Sequence, residues 1–345
     1  VWHSDELPVD LLKDEEYWAF DGKAATRNSS GVCVNRLAAR IPNLIGGSAD
    51  LAPSNKTYMK GEGDFSADNR TGRNLHFGVR EHAMACICAG MKLHGGLRPY
   101  CGTFFVFSDF MKNAMRVAAI MKLPVTYVLT HDSIGVGEDG PTHQPVEHEA
   151  QIRLMEHLRN HHDERSMLVL RPADGDETVM AWKLAVEEHR PVALVLSRQN
   201  IKTLPTLGAI RREEAAQVAK GGYVVMDAAK PAAVLIATGS EVATLVEGAE
   251  LLAAEGIPVR VVNVPSEGLF RDQPRSYQES VLPAGVARYG MTSGLPVNLR
   301  GLVGENGVIH GLDHFGWSAP YKVLDEKFGY NGATVAAEVK KMLGK

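Results

Sequence analysis

The sequence lacks the features that mark secreted, membrane and nucleic-acid-binding proteins. It has 4 cysteines, none in C-x-x-C spacing, so we expect reduced thiols rather than disulfides. No apolar run approaches the ~20 residues of a membrane helix, and the first residues lack the basic and apolar regions of a signal peptide. The formal net charge of -4 provides no basic surplus for nucleic acid. We therefore expect a cytoplasmic protein with neither nucleic-acid nor membrane partners.

The composition is that of a globular protein, with 45% hydrophobic and 23% charged residues. A chain of 345 residues is long enough for two domains of about 150 residues each. Residues 1–21 carry no clear fold signal and are predicted to be a linker remnant, so we expect a part of a longer polypeptide. A composition change near 201–218 divides the remainder into predicted domains at 22–205 and 206–345.

Apolar strands alternate with amphipathic helices along most of the chain. Beyond a helix at 30–40 and a short strand from Leu44, the predicted segments are strands at 74–77, 99–104, 124–130, 167–171, 191–197, 231–237 and 258–264, and helices at 82–93, 108–121, 149–158, 176–188, 241–254 and 333–342. Such alternation is typical of parallel sheets covered by helices on both faces. The predicted fold class is therefore α/β, with two consecutive doubly wound, mostly parallel sheet domains.

The segment 131–145 is the most informative part of the sequence. It contains two histidines, three acids and three glycines directly after an apolar strand. A buried core needs no such mixture, whereas a ligand-binding loop at the carboxyl end of a strand does. The glycines let backbone approach a ligand, and imidazoles and carboxylates exchange protons near neutral pH.

A second group of candidates consists of Glu81 and three phenylalanines. Glu81 opens a predicted helix directly after a strand, a place where the helix dipole alone also favours an acid. Phe104, Phe107 and Phe110 recur at every third residue and fit either a buried core or an aromatic wall for a flat heterocycle. The residues by themselves leave both interpretations open.

Two further motifs have simple structural interpretations. His157 and His161 stand four apart, but we favour a solvated insertion over a metal pair. The Thr-Gly-Ser run at 238–240 precedes a predicted helix, and helix capping is favoured over anion binding because no basic cluster accompanies it.

Several segments together resemble the transketolase family. They are GGSADLAPSN (46–55), HFGVREHAM (76–84), THDSIGVGEDGPTHQPVEH (130–148), LRPADGDET (170–178), LSRQN (196–200), IATGSEV (236–242) and FGWSAP (315–320). They stand in the expected order, and the resemblance covers nearly all of 22–345. GEDGPTHQP is the most specific motif, because related thiamine diphosphate enzymes have looser versions of this loop.

The resemblance implies thiamine diphosphate as cofactor and a catalytic role for Glu81. In the family, a glutamate here hydrogen-bonds pyrimidine N1′ and promotes the imino tautomer that removes the thiazolium C2 proton. Phe107 matches the ring that stacks on the pyrimidine, Phe104 and Phe110 line the same pocket, and Asp50 matches an acid near the thiazolium. Family members often have tyrosine where Phe110 stands, so any role of that hydroxyl is missing.

Substrate contacts are implied in the same way. The residues that match groups holding the sugar phosphate are Arg27, Ser54, His131 and Arg198. Guanidinium groups suit phosphate oxygens because they bind them in a bidentate fashion. Asp139 matches a residue that contacts a substrate hydroxyl. His143 matches one that contacts the reacting end of the donor, which makes it the second catalytic candidate beside Glu81.

The implied reaction moves a two-carbon ketol unit from a ketose phosphate to an aldose phosphate, as in the pentose phosphate pathway. Family members bind the diphosphate and Mg²⁺ or Ca²⁺ through an N-terminal domain with a GDG motif and a later asparagine. This motif is missing, since residues 173–176 read Ala-Asp-Gly-Asp. We therefore expect no metal on this chain, an N-terminal transketolase domain or subunit as partner, a homodimeric contact, and no activity of the chain alone.

Three alternatives remain open at this point. A 1-deoxyxylulose-5-phosphate synthase or the beta part of a 2-oxoacid dehydrogenase would keep the glutamate and the domain order, but the intact GEDGPTHQP loop and the pair Arg27 and Arg198 argue against them. A dihydroxyacetone synthase is closer and is poorly separated by sequence. A non-catalytic assembly module would dimerise and bind a partner without turnover.

Overall fold

The computed structural model describes residues 6–19 and 24–345. It contains two sheets, the first built from strands within residues 44–196 and the second from strands within residues 223–310. We call the parts before and after residue 205 the first half and the second half. The predicted domain boundary at residue 205 lies between the two sheets and stays a prediction. The boundary predicted between residues 21 and 22 lies outside the described residues.

The first half contains seven α-helices and six strands within the described ranges. The helices are α1 (Glu15–Trp18), α2 (Thr26–Arg40), α3 (Ala52–Asn55), α4 (Glu81–His94), α5 (Lys112–Ile120), α6 (His148–His157) and α7 (Gly175–Glu187). The strands are β1 (Leu44–Ser48), β2 (Asn74–His76), β3 (Arg98–Phe104), β4 (Thr126–Thr130), β5 (Leu168–Leu170) and β6 (Val192–Leu196). Short 3₁₀ helices lie at Phe105–Phe110 and Ile134–Val136.

The first sheet is entirely parallel, in the order β2-β1-β3-β4-β6-β5. Its central strands are apolar and buried on both faces, as the run VALVL of β6 illustrates. The chain pairs β1 with β2 on one side and then returns to place β3 on the other, so the strand order reverses between β1 and β3. In such sheets the ligand crevice forms at the carboxyl edge near this reversal.

The second half forms a smaller α/β unit. Its elements are α8 (Arg211–Ala215), a 3₁₀ helix (Ala216–Lys220), β7 (Tyr223–Met226), β8 (Ala233–Ala237), α9 (Glu241–Ala254), β9 (Val259–Asn263), α10 (Glu267–Arg271), α11 (Arg275–Val281), β10 (Ala287–Met291), α12 (Val297–Val303), β11 (Val308–His310), α13 (Tyr321–Phe328) and α14 (Gly332–Met342). The strand order is β11-β10-β8-β9-β7, and β7 alone runs antiparallel to its neighbour.

The apolar core connects the two halves. One cluster, which includes Met84 and Tyr127, packs α4 and α5 on the first sheet, and another, which includes Val262 and Leu299, covers one face of the second sheet. A third cluster is continuous from Trp182 in α7 to side chains of α9 and α14. The two sheets are therefore joined through buried apolar contact as well as through polar groups.

The segment 6–19, predicted to belong to a linker remnant, packs against the first half. The Tyr17 hydroxyl donates a hydrogen bond to the Val179 carbonyl at 2.9 Å, and Trp18 Nε1 donates to the Leu11 carbonyl at 2.9 Å. Both aromatic side chains are buried. None of the helices in the described part of the chain combines the length and the apolarity that crossing a membrane requires.

The predicted helix at 108–121 differs from the observed structure. A 3₁₀ helix at Phe105–Phe110 precedes α5, which begins at Lys112. A 3₁₀ helix has three residues per turn, so side chains three apart lie on one side of it. The spacing of Phe104, Phe107 and Phe110 thus fits the 3₁₀ turn rather than the α-helix that we predicted.

Candidate active site

The carboxyl edge of the first sheet collects most of the predicted site residues. Asp50 and Ser54 follow β1, Glu81 follows β2, and Phe104 ends β3. His131 follows β4 directly, and Arg198 comes two residues after β6. Because these strands are parallel, their carboxyl ends lie along one edge of the sheet, and residues far apart in sequence share one crevice.

An aromatic wall, defined here as Phe104, Phe107 and Phe110, stands where β3 ends. The Phe104 and Phe107 ring centroids lie 5.8 Å apart with planes 8° from parallel, and those of Phe107 and Phe110 lie 6.3 Å apart. Phe104 is buried, Phe107 is partly exposed, and Phe110 is 63% exposed. The wall therefore offers an apolar surface that its own chain leaves partly open.

His131 lies at the centre of the crevice in a left-handed backbone conformation, with φ of 63°. Its Nε2 lies 3.1 Å from Nη1 of Arg27, and its Nδ1 lies 2.7 Å from the hydroxyl of Thr130. The Thr130 hydroxyl in turn donates to Oδ1 of Asn55 at 2.7 Å. Since the guanidinium only donates, Nε2 accepts, and the proton of a neutral imidazole resides on Nδ1.

The surroundings of His131 favour this neutral form. Its ring stacks on Phe104 with 3.5 Å between centroids, and the residue is 3% exposed. Burial, together with the positive charges of Arg27 and Arg198 and the nearby His143, lowers the pKa of His131 to about 3. At neutral pH the imidazole is thus an uncharged hydrogen-bonding group between cations.

Arg27 and Arg198 make the crevice electropositive. Nη1 of Arg27 donates to the Ser54 carbonyl at 3.0 Å, and its Nε is buried without a hydrogen-bond partner. Burial and the nearby Arg198 lower the pKa of Arg27. Neither arginine makes an ion pair with a carboxylate among residues 6–19 and 24–345. Two uncompensated guanidinium groups in one crevice are suited to binding a phosphate.

Glu81 is the first residue of α4 and is 7% exposed. Its carboxylate makes no hydrogen bond or ion pair with any residue that the structure describes. Neither carboxylate oxygen is among the polar atoms that are fully buried without a partner, so the carboxylate itself keeps some contact with the crevice. The Glu81 carboxylate can therefore accept a hydrogen bond from a ligand.

The loop after His131 is held by hydrogen bonds within the loop and to the second half. Nε2 of Gln144 donates to the Gly137 carbonyl at 3.1 Å and to the Trp317 carbonyl at 2.9 Å. His143 is partly exposed, and its ring lies 5.4 Å from that of Phe107. The loop thereby places His143 beside the aromatic wall.

Direct contacts join seven of the predicted residues: Arg27, Ser54, His131, Phe104, Phe107, Phe110 and His143. Arg198 acts on them through its charge. Asp50 and Asp139 are exposed, and neither contacts the others through a hydrogen bond in the described part of the chain. Asp50 has φ of 61°, a left-handed conformation in the same crevice.

Sequence reasoning missed a polar group beside the wall. Asp109, Glu147 and His148 bring one potential ligand atom each within 4.8 Å of one another, and Nε2 of His148 lies 3.0 Å from Oδ2 of Asp109. Lys112 also pairs with Asp109, so the carboxylate is already compensated. His157, one of the two histidines considered as metal ligands, instead lies 3.6 Å from a carboxylate oxygen of Glu267.

Two family models match most of the chain. The family model "Transketolase, pyrimidine binding domain" matches residues 22–203, and "Transketolase-like TK C-terminal domain" matches residues 221–331. The chain is 49% identical over 325 residues to the transketolase of Geobacillus stearothermophilus, an alignment that covers 93% of this chain and 47% of that protein. The chain belongs to the transketolase family. The predicted family and fold class are confirmed.

Solved transketolase structures superpose over nearly the whole chain. The structure of Pichia stipitis transketolase in complex with sedoheptulose-7-phosphate matches with a TM-score of 0.88 and 35% identity over 99% of this chain and 49% of that one. A split-gene transketolase described as an inactive β4 tetramer matches with a TM-score of 0.66 and 26% identity over 94% of this chain and 99% of that one. This chain spans about half the length of the curated transketolases that it matches.

Proposed function

We propose that this chain supplies one catalytic half of a transketolase, which moves a two-carbon ketol unit from a ketose phosphate to an aldose phosphate in the cytoplasm. The supporting observation is the carboxyl edge of the first sheet. There, one crevice is surrounded by the Glu81 carboxylate, a partly open aromatic wall and two guanidinium groups, and among residues 6–19 and 24–345 no carboxylate pairs with these guanidinium groups. Family membership supports the same reaction.

The side chains of the crevice fit thiamine diphosphate. When bound, this cofactor would supply a nucleophilic carbon and an electron sink for the transferred two-carbon unit. The partly open faces of Phe107 and Phe110 suit a flat pyrimidine, and Phe104 backs the wall. The carboxylate of Glu81, which has no partner among the described residues, would hold a proton at the pyrimidine ring. Asp50 would offset positive charge on the thiazolium.

Arg27, Arg198 and Ser54 would hold the sugar phosphate, and neutral His131 would orient it. The geometry supports this because Arg27 already contacts both Ser54 and His131. Asp139 would accept a hydrogen bond from a substrate hydroxyl. His143, beside the aromatic wall, would exchange a proton at the reacting end of the donor.

The partner of this half would be an N-terminal transketolase domain or subunit that carries the diphosphate and its Mg²⁺ or Ca²⁺. The split-gene transketolase supports this arrangement, since this chain covers 99% of a protein with that description. A homodimeric contact is also proposed, because α4 and α5 expose a set of apolar side chains. They are Ile87, Leu93, Val117 and Ile120.

Ketol transfer from xylulose 5-phosphate to ribose 5-phosphate tests the proposal. The assay contains thiamine diphosphate and Mg²⁺ and compares this chain, the N-terminal domain of the Geobacillus stearothermophilus transketolase, and their mixture. We expect transfer only in the mixture. Transfer by this chain alone would contradict the need for a partner. A preference for pyruvate over ketose phosphates would instead favour a 1-deoxyxylulose-5-phosphate synthase-like enzyme, and a stable complex without turnover would favour an assembly module.

A further inference from the structure

Arg171 lies in the turn after β5 and is 1% exposed, at the boundary between the two halves. Its Nη2 lies 2.8 Å from Oδ2 of Asp132 and its Nη1 lies 3.3 Å from Oε2 of Glu149, both in the first half. Its Nη1 also lies 2.6 Å from Oε2 of Glu241 in the second half. One buried cation thus joins three carboxylates from both halves.

The second half surrounds this guanidinium with further polar groups. Nη1 of Arg171 donates to the Thr238 carbonyl at 3.0 Å, and Nη2 donates to the Ser293 hydroxyl at 3.3 Å. Gly239 has φ of 63°, and a Cβ there would lie 2.7 Å from Nε of Arg171. Glycine is therefore what allows the backbone of the second half to close on the guanidinium.

Asp132 links this ion network to the crevice, because it follows His131 in the chain. Its Oδ2 accepts from both Nε and Nη2 of Arg171, at 3.0 Å and 2.8 Å. His131 meanwhile has the left-handed backbone that residues other than glycine adopt only when neighbouring contacts fix it. The Asp132 contact is such a constraint on the adjacent residue.

We propose that Arg171 and Glu241 are positioning residues, through which the second half holds Asp132 and so keeps His131 stacked on Phe104 for contact with the substrate. This inference rests on the proposed function for the role of His131. The second half then acts on the site through Asp132, although the aromatic wall itself consists of side chains of the first half.

Other buried ion contacts cross the same boundary without adjoining the crevice. Glu177 in α7 accepts hydrogen bonds from Arg211 at 2.8 Å and from Asn263 at 2.8 Å, both in the second half. Glu177 is buried like Asp132 and Glu241 and also accepts a hydrogen bond from the backbone N–H of Ala173, in the same turn as Arg171. Within the described residues its side chain makes no hydrogen bond or ion pair with Arg171, Asp132 or His131. It therefore offers a matched control, since its loss weakens the association of the halves without touching His131.

The test compares Glu241→Gln, Asp132→Asn and the control Glu177→Gln. In this chain alone, proton–carbon correlation NMR of ¹³C-labelled histidine reports the His131 ring protons, which the stacked Phe104 ring moves upfield. In the mixture with the N-terminal domain, kcat and KM are measured for the ketose phosphate donor. Urea unfolding of each variant shows how much stability it has lost. Ser293→Ala, a milder loss of one Arg171 contact, is used if Glu241→Gln does not fold.

We expect Glu241→Gln and Asp132→Asn to move the His131 signals downfield and to raise KM for the donor by about tenfold, the usual effect of weakening one charged hydrogen bond. The control should lose comparable stability with both readouts unchanged. The inference is overturned if the His131 signals stay in place in Glu241→Gln, or if Glu177→Gln moves them equally. The NMR result on the chain alone stands whether or not the mixture is active, so failure of the proposed function remains distinguishable.

Discussion

The two sheets use equivalent edges in opposite ways. At the carboxyl edge of the first sheet, Glu81 lacks a hydrogen-bond partner among the described residues, and Phe110 is largely exposed. At the carboxyl edge of the second sheet, the polar groups are buried and paired with the first half. Glu241 and Ser293 bind Arg171, and Asn263 binds Glu177.

This difference shows that a polar carboxyl edge is not by itself a ligand site. In both sheets, polar residues stand at or directly after the carboxyl ends of several parallel strands, as the doubly wound architecture favours. They are Ser48, Thr130 and Ser197 in the first sheet and Thr238, Asn263 and Thr292 in the second. Polar groups at the first edge remain able to bind a ligand, whereas most polar groups at the second edge already form hydrogen bonds between the two halves. Substitutions at the first edge should therefore reduce function and spare stability. Substitutions of second-half residues that do not contact Arg171 should do the reverse, whereas Glu241 should affect both.

The largest expected effect belongs to the first edge. Glu81→Gln should lower kcat for ketol transfer in the mixture about 100-fold to 10,000-fold, the range that acid–base groups contribute. Its urea midpoint should be unchanged or higher, because the carboxylate has no partner in the described part of the chain. Glu213→Gln, which changes an exposed first-turn glutamate of α8, is the control and should alter neither quantity. Full activity of Glu81→Gln would show that catalysis does not use the Glu81 carboxylate.

Substitution of Arg211 tests whether buried ion pairs between the two halves stabilise the protein. It donates to Asp174, Glu177 and the Tyr223 hydroxyl, and its loss leaves buried carboxylates uncompensated. Arg211→Met should lower the free energy of unfolding by about 3–5 kcal/mol, with KM for the donor unchanged.

The control for Arg211 is Arg275→Met, which breaks an exposed ion pair with Glu279. It should cost at most about 1 kcal/mol. Equal losses in the two variants, measured by urea unfolding, would mean that the buried contacts do not hold the halves together.

A smaller effect concerns the pH dependence of stability at the first edge. Folding lowers the pKa of His131 from 6.5 to about 3, so the unfolded chain takes up a proton first as the pH falls. The stability contributed by neutral His131 is therefore full above pH 6.5 and is lost toward pH 3. Relative to His131→Asn, the wild type should lose at most about 1.4 kcal/mol per pH unit in this window.

Urea unfolding between about pH 7 and pH 4 measures that difference. His161→Asn, an exposed site, is the control and should follow the wild type. A constant difference between the wild type and His131→Asn across the window would show that the imidazole is not held neutral.

The smallest expected effect is a pH-dependent change of stability at Asp325 in the second half. Burial, with Glu241 and Glu247 nearby, raises the pKa of Asp325 from 3.8 to about 7. Its contribution is thus present at low pH and lost as the pH rises toward 7, because the unfolded carboxyl ionises first. Asp325→Asn should raise the thermal midpoint above pH 7 by the few degrees that about 1 kcal/mol produces, and the gain should vanish near pH 4. Asp313→Asn, at an exposed site, should show no such trend.

The sequence predicted the regular elements of the first half well because their apolar runs are long and bounded. The helix predicted at 241–254 in the second half also coincides with α9. Strands such as β11 were not predicted, since three residues with an exposed Val308 give no alternation to recognise. Helix α12 was missed because it is short and follows Pro296 and a glycine-rich stretch.

The candidate site was predicted through its motifs, whereas the ion network was not. The carboxylate partners of Arg171 lie 22, 39 and 70 residues away, and no local pattern connects them. The helix cap predicted at the Thr-Gly-Ser run 238–240 differs from the structure. The Ser240 side chain makes no capping hydrogen bond with the described residues, and Gly239 packs on Arg171. Contacts that depend on how two sheets meet are set by tertiary packing and leave no periodic signal in the sequence.

The proposed function requires that the open edge of the first sheet bind thiamine diphosphate together with an N-terminal domain. Calorimetric titration of the cofactor with Mg²⁺ into the mixture tests it, with wild type and Phe107→Ala compared. We predict binding by the wild-type mixture and affinity about tenfold lower for Phe107→Ala, as expected when an aromatic contact is removed. Equal cofactor affinity of the wild-type and Phe107→Ala mixtures would contradict this prediction, because the aromatic wall would then not contact the cofactor.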